Sequence, residues 1–320
     1  MTEFQILTEA FLQALVAGLL VGALYGLMCV GLAIIFGIMR VINFAQGDFM
    51  MLGMYVTYYI FIGLGVQTFV GSQFGPYLAI LISVPVMFVV GYLVHYFLIS
   101  RVTGSRTAAL DGEGHYAQLI LTLGIALVLQ NGSMMLFGPQ LVSIRTPLSS
   151  SAWELGPMWG DVLSIFVNKG RGISALISLA IIGLLAVLIG RTRLGKSLRA
   201  AADNPVASSY MGIDVTRAYR IAFALGTCIT ALAGGLLATN YPFHPFVGLE
   251  FVIIMYAGVV LGGIGSILGA FWGGMTIGLV QQLASLVLPT QLQNAAIFVF
   301  FLLIVTLRPQ GLFGRVSERT

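Results

Sequence analysis

Long apolar runs recur along the whole chain, and no other feature narrows the fold as much. They fall at 11–39, 49–65, 76–100, 116–137, 173–190, 217–238, 251–288 and 295–307. About 20 apolar residues cross the hydrocarbon core of a bilayer as one helix, because a helix satisfies its own backbone polar groups where water is absent. Strands of membrane β-barrels alternate apolar and polar positions over short segments, and these runs do not. Only 8% of the residues are charged, against about 25% in soluble domains. Mean hydropathy is +1.00, so the chain cannot clothe a water-facing surface. The expectation is an all-α integral membrane protein: one polytopic bundle over residues 1–320, with eight or nine transmembrane helices, some of them broken.

The seventh run is too long for a single span and is interrupted by Gly262, Gly263 and Gly265, which predicts two segments. Orientation follows from Lys and Arg in short loops, which stay on the cytoplasmic side. The basic clusters used for this are Arg40, Arg101 with Arg106, the group Arg191 to Arg220, and Arg308, Arg315 and Arg319. Nine crossings put all of these inside, with the N-terminus outside. The segment 138–172 then lies outside, carrying Pro139, Pro147, Pro157, three serines from Ser149 and the interface-seeking Trp153 and Trp159. Glu3 and Glu9 with no basic flank do not match a cleaved signal peptide.

The 40 glycines have a use in such a bundle. Gly18, Gly22 and Gly26 lie four apart, as do Gly258 and Gly262, and Gly265, Gly269 and Gly273. Each set forms a stripe on one helix face that lets a neighbouring backbone approach, either within the chain or on a partner subunit. Residues 26–53 and 251–280 also share a faint pattern of apolar helix, polar or glycine break, and second apolar helix. Broken helices of this kind form the binding sites of many transporters.

One break stands out. The stretch RVINFAQGDFMMLG (40–53) places Arg40, Asn43, Gln46, Gly47 and Asp48 between two apolar runs. Capping of the second helix by Asn43 or Asp48 is one reading, since the first turn of a helix leaves orphan N–H groups. The other is a pathway lining that offers amides and helix ends to a passing solute.

The most polar stretch with helical character is the elbow at 191–216. Leu198, Ala201 and Ala202 form a small apolar face. Asp203 or Asn204 is placed to cap a new helix that opens with Pro205, Gly212 to end it, and Asp214 to cap the next one. It is either a structured loop or a knob for a cytosolic partner. Residues 190–197, GRTRLGKS, match the bare P-loop pattern. They close an apolar run instead of following a buried strand, so nucleotide binding there is not expected. Cys29 and Cys228 both sit in apolar runs, which gives no disulfide or metal framework. His95, His115 and His244 lack metal-ligand spacing and are expected to be interfacial or structural. Glu250 is placed as a cap. The net charge of +4 comes from loop anchors and does not imply nucleic acid.

Several blocks together carry a family likeness: RVINFAQGDFMMLGMY, RLGKSLRAAADNPVASSYMGI leading into RIAFALGTCITALAGGLLA, GVVLGGIGSILGAFWGG and LRPQGLFG. In this order, from about residue 10 to 314, the chain resembles the membrane permease subunits of high-affinity branched-chain amino-acid importers of the ATP-binding-cassette class. It is most similar to the shorter of the two permeases of that system. The resemblance implies a non-catalytic subunit that binds no cofactor or metal of its own, with ATP used by separate cytosolic subunits. It also implies a second permease or a second copy of this chain, an external solute-binding protein docking near 138–172, and a bacterial-type inner membrane. Transport would be by alternating access. Asn43, Phe44, Gln46, Gly47 and Asp48, with Gly262, Gly263 and Gly265, would line or support the pathway. Arg199, Ala200, Ala201, Ala202, Asp203, Asn204, Pro205 and Gly212 would belong to the coupling helix. The general importer coupling motif has Glu-Ala-Ala and a glycine four residues on. Here Arg199-Ala200-Ala201 stands in its place, and the glycine is at 212. The cargo would be branched-chain amino acids, or a small polar solute such as urea or a short amide. An autonomous ion-coupled carrier or channel is the alternative. It is disfavoured because such carriers usually hold ionisable residues inside the membrane, and these are scarce here.

Overall fold

The computed structural model describes residues 3–102, 113–158, 163–263, 265–289, 292–308 and 311–313. Arg106, Trp159, Arg315 and Arg319, used in the orientation argument, lie outside the described residues, as does the side chain of His115.

Helix α1 (Glu3–Met39) has 37 residues and is therefore about 55 Å long. It stops at Arg40, which adopts a left-handed conformation with φ 54°, rare for a residue with a Cβ. Six residues later the chain re-enters helix as α2 (Gln46–Gly63). A short α3 (Val66–Val70) lies between Gly65 and Gly71, both with positive φ. It leads to α4 (Gly75–Val94), which has a proline in its first turn, where the missing N–H costs no bond. A π turn (His95–Ile99) and α5 (Ser100–Val102) extend α4, and α6 (Glu113–Phe137) follows. An antiparallel hairpin, β1 (Ala152–Met158) and β2 (Leu163–Asn168), pairs Ala152 with Asn168. Then come α7 (Lys169–Arg191), α8 (Arg193–Asp203), α9 (Pro205–Tyr210), α10 (Val215–Ala238), α11 (Val247–Gly262), α12 (Ile267–Ala284) and α13 (Gln293–Leu307).

The all-α membrane character holds. Among the described residues, six helical stretches are long and apolar enough to cross a membrane: α1, α4 with its extension, α6, α7, α10 and α12. Helices α11 and α13 are shorter, and α2 carries Gln46 and Asp48 in its first turn. The long run at 251–288 divides as expected, into α11 and α12, at a turn where Gly263 and Gly265 take φ 99° and 90°. The hairpin is an addition that the serines and prolines of 138–172 concealed. Both backbone groups of Phe166 on β2 bond to the Gln13 amide of α1, with Phe166 N–H donating at 3.0 Å and Gln13 donating to its carbonyl at 2.5 Å. Trp153 of β1 lies against Gly172 of α7.

The core consists of two three-helix units that run in opposite senses. In the first, α1 goes one way, α2 returns after the break, and α4 reverses again. In the second, α10, α11 and α12 do the same from the other side. Contacts give the directions. Helices α2 and α10 are parallel: Gln46 meets Gly226 and Thr230, and Thr57 meets Gly235. Helices α1 and α11 are parallel too, with Tyr25 edge-on to Phe251 and the Cys29 thiol against the Met255 carbonyl. The first helix of each unit pairs with the third helix of the other: α1 runs antiparallel to α12, and α10 antiparallel to α4, where Gly91 meets Thr227. This is an inverted-topology repeat. The sequence echo is thereby corrected. The partner of the 40–45 break is the 239–246 link between α10 and α11, whereas the glycine turn at 262–265 corresponds to the link between α2 and α4.

The glycine stripes serve this packing. Gly18, Gly22 and Gly26 face Leu279, Met275 and Phe271 of α12, while Gly258 and Gly262 face Gly273 and Gly269. A Cβ on Gly278 would meet the backbone of Gly22, which has no side chain to move aside. Gly278→Leu is therefore expected to lower stability by about 1–3 kcal/mol in thermal unfolding of the purified protein. Gly183→Leu, which meets no atom within 4 Å, should change it by less than about 0.5 kcal/mol.

Candidate functional site

The break after α1 folds back into the bundle. The Ala45 N–H donates to Asn43 Oδ1 at 3.2 Å, a local turn that starts α2. Asn43 Nδ2 donates to Gln46 Oε1 at 2.9 Å. Gln46 Nε2 in turn donates to the Gly226 carbonyl at 3.2 Å and to Thr230 Oγ1 at 2.5 Å. Gly226 and Thr230 lie near the middle of α10, so α2 begins in mid-bundle. Thr122 of α6 closes the break from outside, accepting from the Phe44 N–H and facing the Ile42 carbonyl, both at 3.4 Å. Asn43 and Gln46 are fully buried.

Asp48 is only 2% exposed. Its Oδ1 accepts from Gln130 Nε2 of α6 at 3.0 Å. Asp48 is therefore not a cap: the N-cap of α2 is Ala45, with no side-chain cap bond, and of the two residues read as caps only Asn43 accepts a backbone N–H there, that of Ala45. Asp48 is instead a first-turn carboxylate held inside the protein. What makes this tolerable is the opposite side of the site. Gly47 packs directly on the Gly248 carbonyl, so the starts of α2 and α11 abut. A Cβ on Gly248 would lie 2.6 Å from Asp48 Oδ1. The carboxylate thus sits at two helix N-termini at once, where the partial positive charges of unpaired N–H groups favour an anion. On the next face, Phe44 lies 5.5 Å from the ring of Tyr256 on α11, whose hydroxyl is buried with no hydrogen-bond partner.

Asn43, Phe44, Gln46, Gly47 and Asp48 are thus brought together. Gly262, Gly263 and Gly265 are not among them, since they lie at the far end of α11, about 20 Å away along the helix. Thr122, Gln130, Thr230, Gly248 and Tyr256 complete the cluster and escaped the sequence reading. Gln130 and Thr230 had a signal, as polar residues inside apolar runs; Gly248 had none. Of the two places expected for His95, interfacial or structural, it takes the structural one: it is buried, with neither ring nitrogen bonded. Glu250 caps no helix; α11 starts after Phe246, and Glu250 is exposed 4.0 Å from His244 Nε2. No group of three metal-ligating side chains occurs among the described residues.

The elbow follows its sequence at Asn204, Pro205, Gly212 and Asp214, and the structure adds a further cap at Thr192. Thr192 caps α8, Asn204 caps α9 with Pro205 in its first position, and Asp214 caps α10. Gly212 takes φ 79° just after α9. Leu198 and Ala201 are fully buried beneath α8, and Gly195 lies against the Ile189 carbonyl. Arg199, Asp203, Asn204 and Pro205 are exposed; Ala200 and Ala202 are half-buried. The tip is apolar and bare, with Val206, Tyr210 and Met211 all exposed, the last two by more than four-fifths (86% and 82%). The GRTRLGKS stretch spans the end of α7 and the start of α8, with no strand before it.

Residues 14–307 match the family model described as branched-chain amino acid transport system, permease component. The chain belongs to this family. It is 30% identical over 311 residues to the high-affinity branched-chain amino acid transport system permease protein BraD of Pseudomonas aeruginosa, a match covering 95% of this chain and 96% of that one. It is 27% identical over 317 residues to the corresponding protein LivH of Escherichia coli K12, with the same coverage. A probable branched-chain amino acid permease of Methanocaldococcus jannaschii is 30% identical over 261 residues, 80% of this chain and 76% of that protein. No solved structure gives a significant match.

Gln130 supplies the hydrogen bond that holds the Asp48 carboxylate. Gln130→Leu should cost about 1.5–3 kcal/mol of stability, because a charged acceptor is left unpaired. Adding Asp48→Leu to Gln130→Leu should recover no more than part of that loss, because the two helix ends then lack their anion. A double-mutant comparison of thermal unfolding checks both.

Proposed function

We propose that this permease subunit forms the translocation pathway of an ATP-driven importer for branched-chain amino acids or a related small polar solute. The carrying observation is the family match over nearly the whole chain, joined to an elbow whose capped helices present an apolar tip and no ATPase of their own. The partners are two cytosolic ATP-binding subunits, a second permease or a second copy of this chain, and an external solute-binding protein. The complex sits in a bacterial-type inner membrane, with lipid around α6 and α7.

The polypeptide passes the membrane nine times, as α1, α2, α4, α6, α7, α10, α11, α12 and α13, N-terminus outside. Alternation of these legs supports this reading, because it sets the β-hairpin on the outer side and the elbow on the inner. The hairpin and its flanks receive the binding protein. Val206, Tyr210 and Met211 dock in a groove of the ATP-binding subunit, while Leu198 and Ala201 tie α8 to the bundle. Closure of the ATP-binding pair then moves α8 and α9 as a unit and shifts the two inverted units against one another. The starts of α2 and α11 respond, and their amides, Asp48 and Tyr256 meet the solute in turn. Such contacts are weak and numerous, and so permit release. An ion-coupled carrier is disfavoured: Asp48 is the sole buried carboxylate among the described residues.

Uptake of radiolabelled leucine into proteoliposomes tests the reading. It should require ATP, the ATP-binding subunits and the binding protein, and uptake by this chain alone under an ion gradient would contradict it. Asp48→Asn should assemble normally and lower uptake several-fold. Tyr210→Ala should weaken the stimulation of ATP hydrolysis by loaded binding protein. Unchanged uptake at normal assembly would remove Asp48 from the pathway.

A further inference from the structure

A cavity of about 440 Å³ opens between α1, α7, α8 and the start of α12, beside the elbow. It is separate from the polar cluster. Gly31 and Ile35 turn one face of α1 to α10, whereas Ile34 and Ile38 turn another to the cavity. Its walls are aliphatic, with Ile182 and Ile189 of α7 opposite Ile34 and Ile38. Its α8 edge carries Arg199 and Asp203. These opposite charges are one helical turn apart, a spacing at which such residues often pair. They do not pair here. The ion pair found among the described residues is His244–Glu250, and the Arg199 guanidinium donates to the Gly190 carbonyl at 3.1 Å instead.

An aliphatic cavity with a cation and an anion at one edge, not paired with each other, has a definite chemical complement. It is a small zwitterion with both charges at one end and a branched hydrocarbon at the other. A carboxylate fits the planar donor fork of arginine, an ammonium fits Asp203, and the hydrocarbon leaves water for the isoleucine walls. We propose that this cavity is an elbow-side binding site for a free aliphatic α-amino acid, and that product accumulated in the cytoplasm slows the permease through it. The regulatory half rests on the cargo proposed above; the binding half does not. Occupancy bridges α8 to α1 and α7, so it favours the arrangement seen here over any in which the elbow swings away. A ligand with that preference shifts the population by its differential affinity.

The test uses the importer assembled with its ATP-binding subunits in nanodiscs, without the solute-binding protein. Equilibrium binding of tritiated leucine should be saturable. It should weaken about tenfold in Asp203→Asn, the loss of one charge-assisted contact, and vanish in Ala186→Trp, which fills the cavity. Size-exclusion chromatography verifies assembly of each variant. In proteoliposomes, leucine on the elbow side should slow uptake by the unaltered importer and leave the Ala186→Trp importer at its own unloaded rate. Absence of binding to the unaltered importer overturns the proposal. So does equal binding in all three proteins. Leucine binding only in nanodiscs free of phosphatidylethanolamine would assign the cavity to that zwitterionic lipid and overturn it as well. If no aliphatic amino acid is taken up with any binding protein, the cargo assignment fails while the titration still decides the site.

Discussion

The fold turns on the contact between Gly47 and Gly248. Two helices start inside the protein at that point, one from each inverted unit, and the backbone of one lies on the backbone of the other. No side chain separates them, and a Cβ at Gly47 would collide with the Gly248 carbonyl oxygen. Helix starts leave unpaired N–H groups and a partial positive charge. Bringing two such ends together in a low-dielectric interior is unfavourable without an anion, and Asp48 supplies it. The buried acid, the paired glycines and the broken helices are thus one arrangement.

From this centre, structure extends outward in two directions. Asn43 and Gln46 tie the break to Gly226 and Thr230 on α10, and α10 continues toward the elbow through the Asp214 cap. Leu198 and Ala201 seat α8 on the bundle, and the Tyr219 hydroxyl donates to the Ala201 carbonyl at 3.4 Å. A displacement at the exposed tip of α9 therefore has a packed route to the starts of α2 and α11. On the other side, α1 continues to Gln13, which holds the hairpin. One long helix thus joins the hairpin, the central break and the edge of the elbow cavity.

Much of this was legible in the sequence where the causes are local. The elbow could be read residue by residue, because Asn204, Pro205, Gly212 and Asp214 act on neighbouring backbone groups. The division of 251–288 was legible for the same reason, since Gly263 and Gly265 supply the positive φ that the turn needs. The glycine stripes foretold close helices without saying which pairs meet. The site was harder. The RVINFAQGDF stretch marked itself as polar in an apolar setting, yet its role depended on α6, α10 and α11, far away in sequence. The spacing of Asp48 permits capping, but its contacts with Gln130 and Gly248 place it elsewhere. The hairpin stayed hidden because its partner on α1 is a single glutamine more than 150 residues away. The repeat was glimpsed in the wrong register, since its halves share packing and direction more than sequence.

Thermal unfolding of Gly47→Ala is the most direct measurement of the central contact. In an ordinary helix, replacing glycine by alanine gains about 1 kcal/mol. A Cβ pressed into the Gly248 carbonyl reverses that sign, because both groups are backbone and neither can turn away. A melting temperature clearly below that of the unaltered protein, with Gly248→Ala behaving likewise, is the predicted result. An unchanged or raised melting temperature would contradict the meeting of α2 and α11 on which the rest of the structure depends.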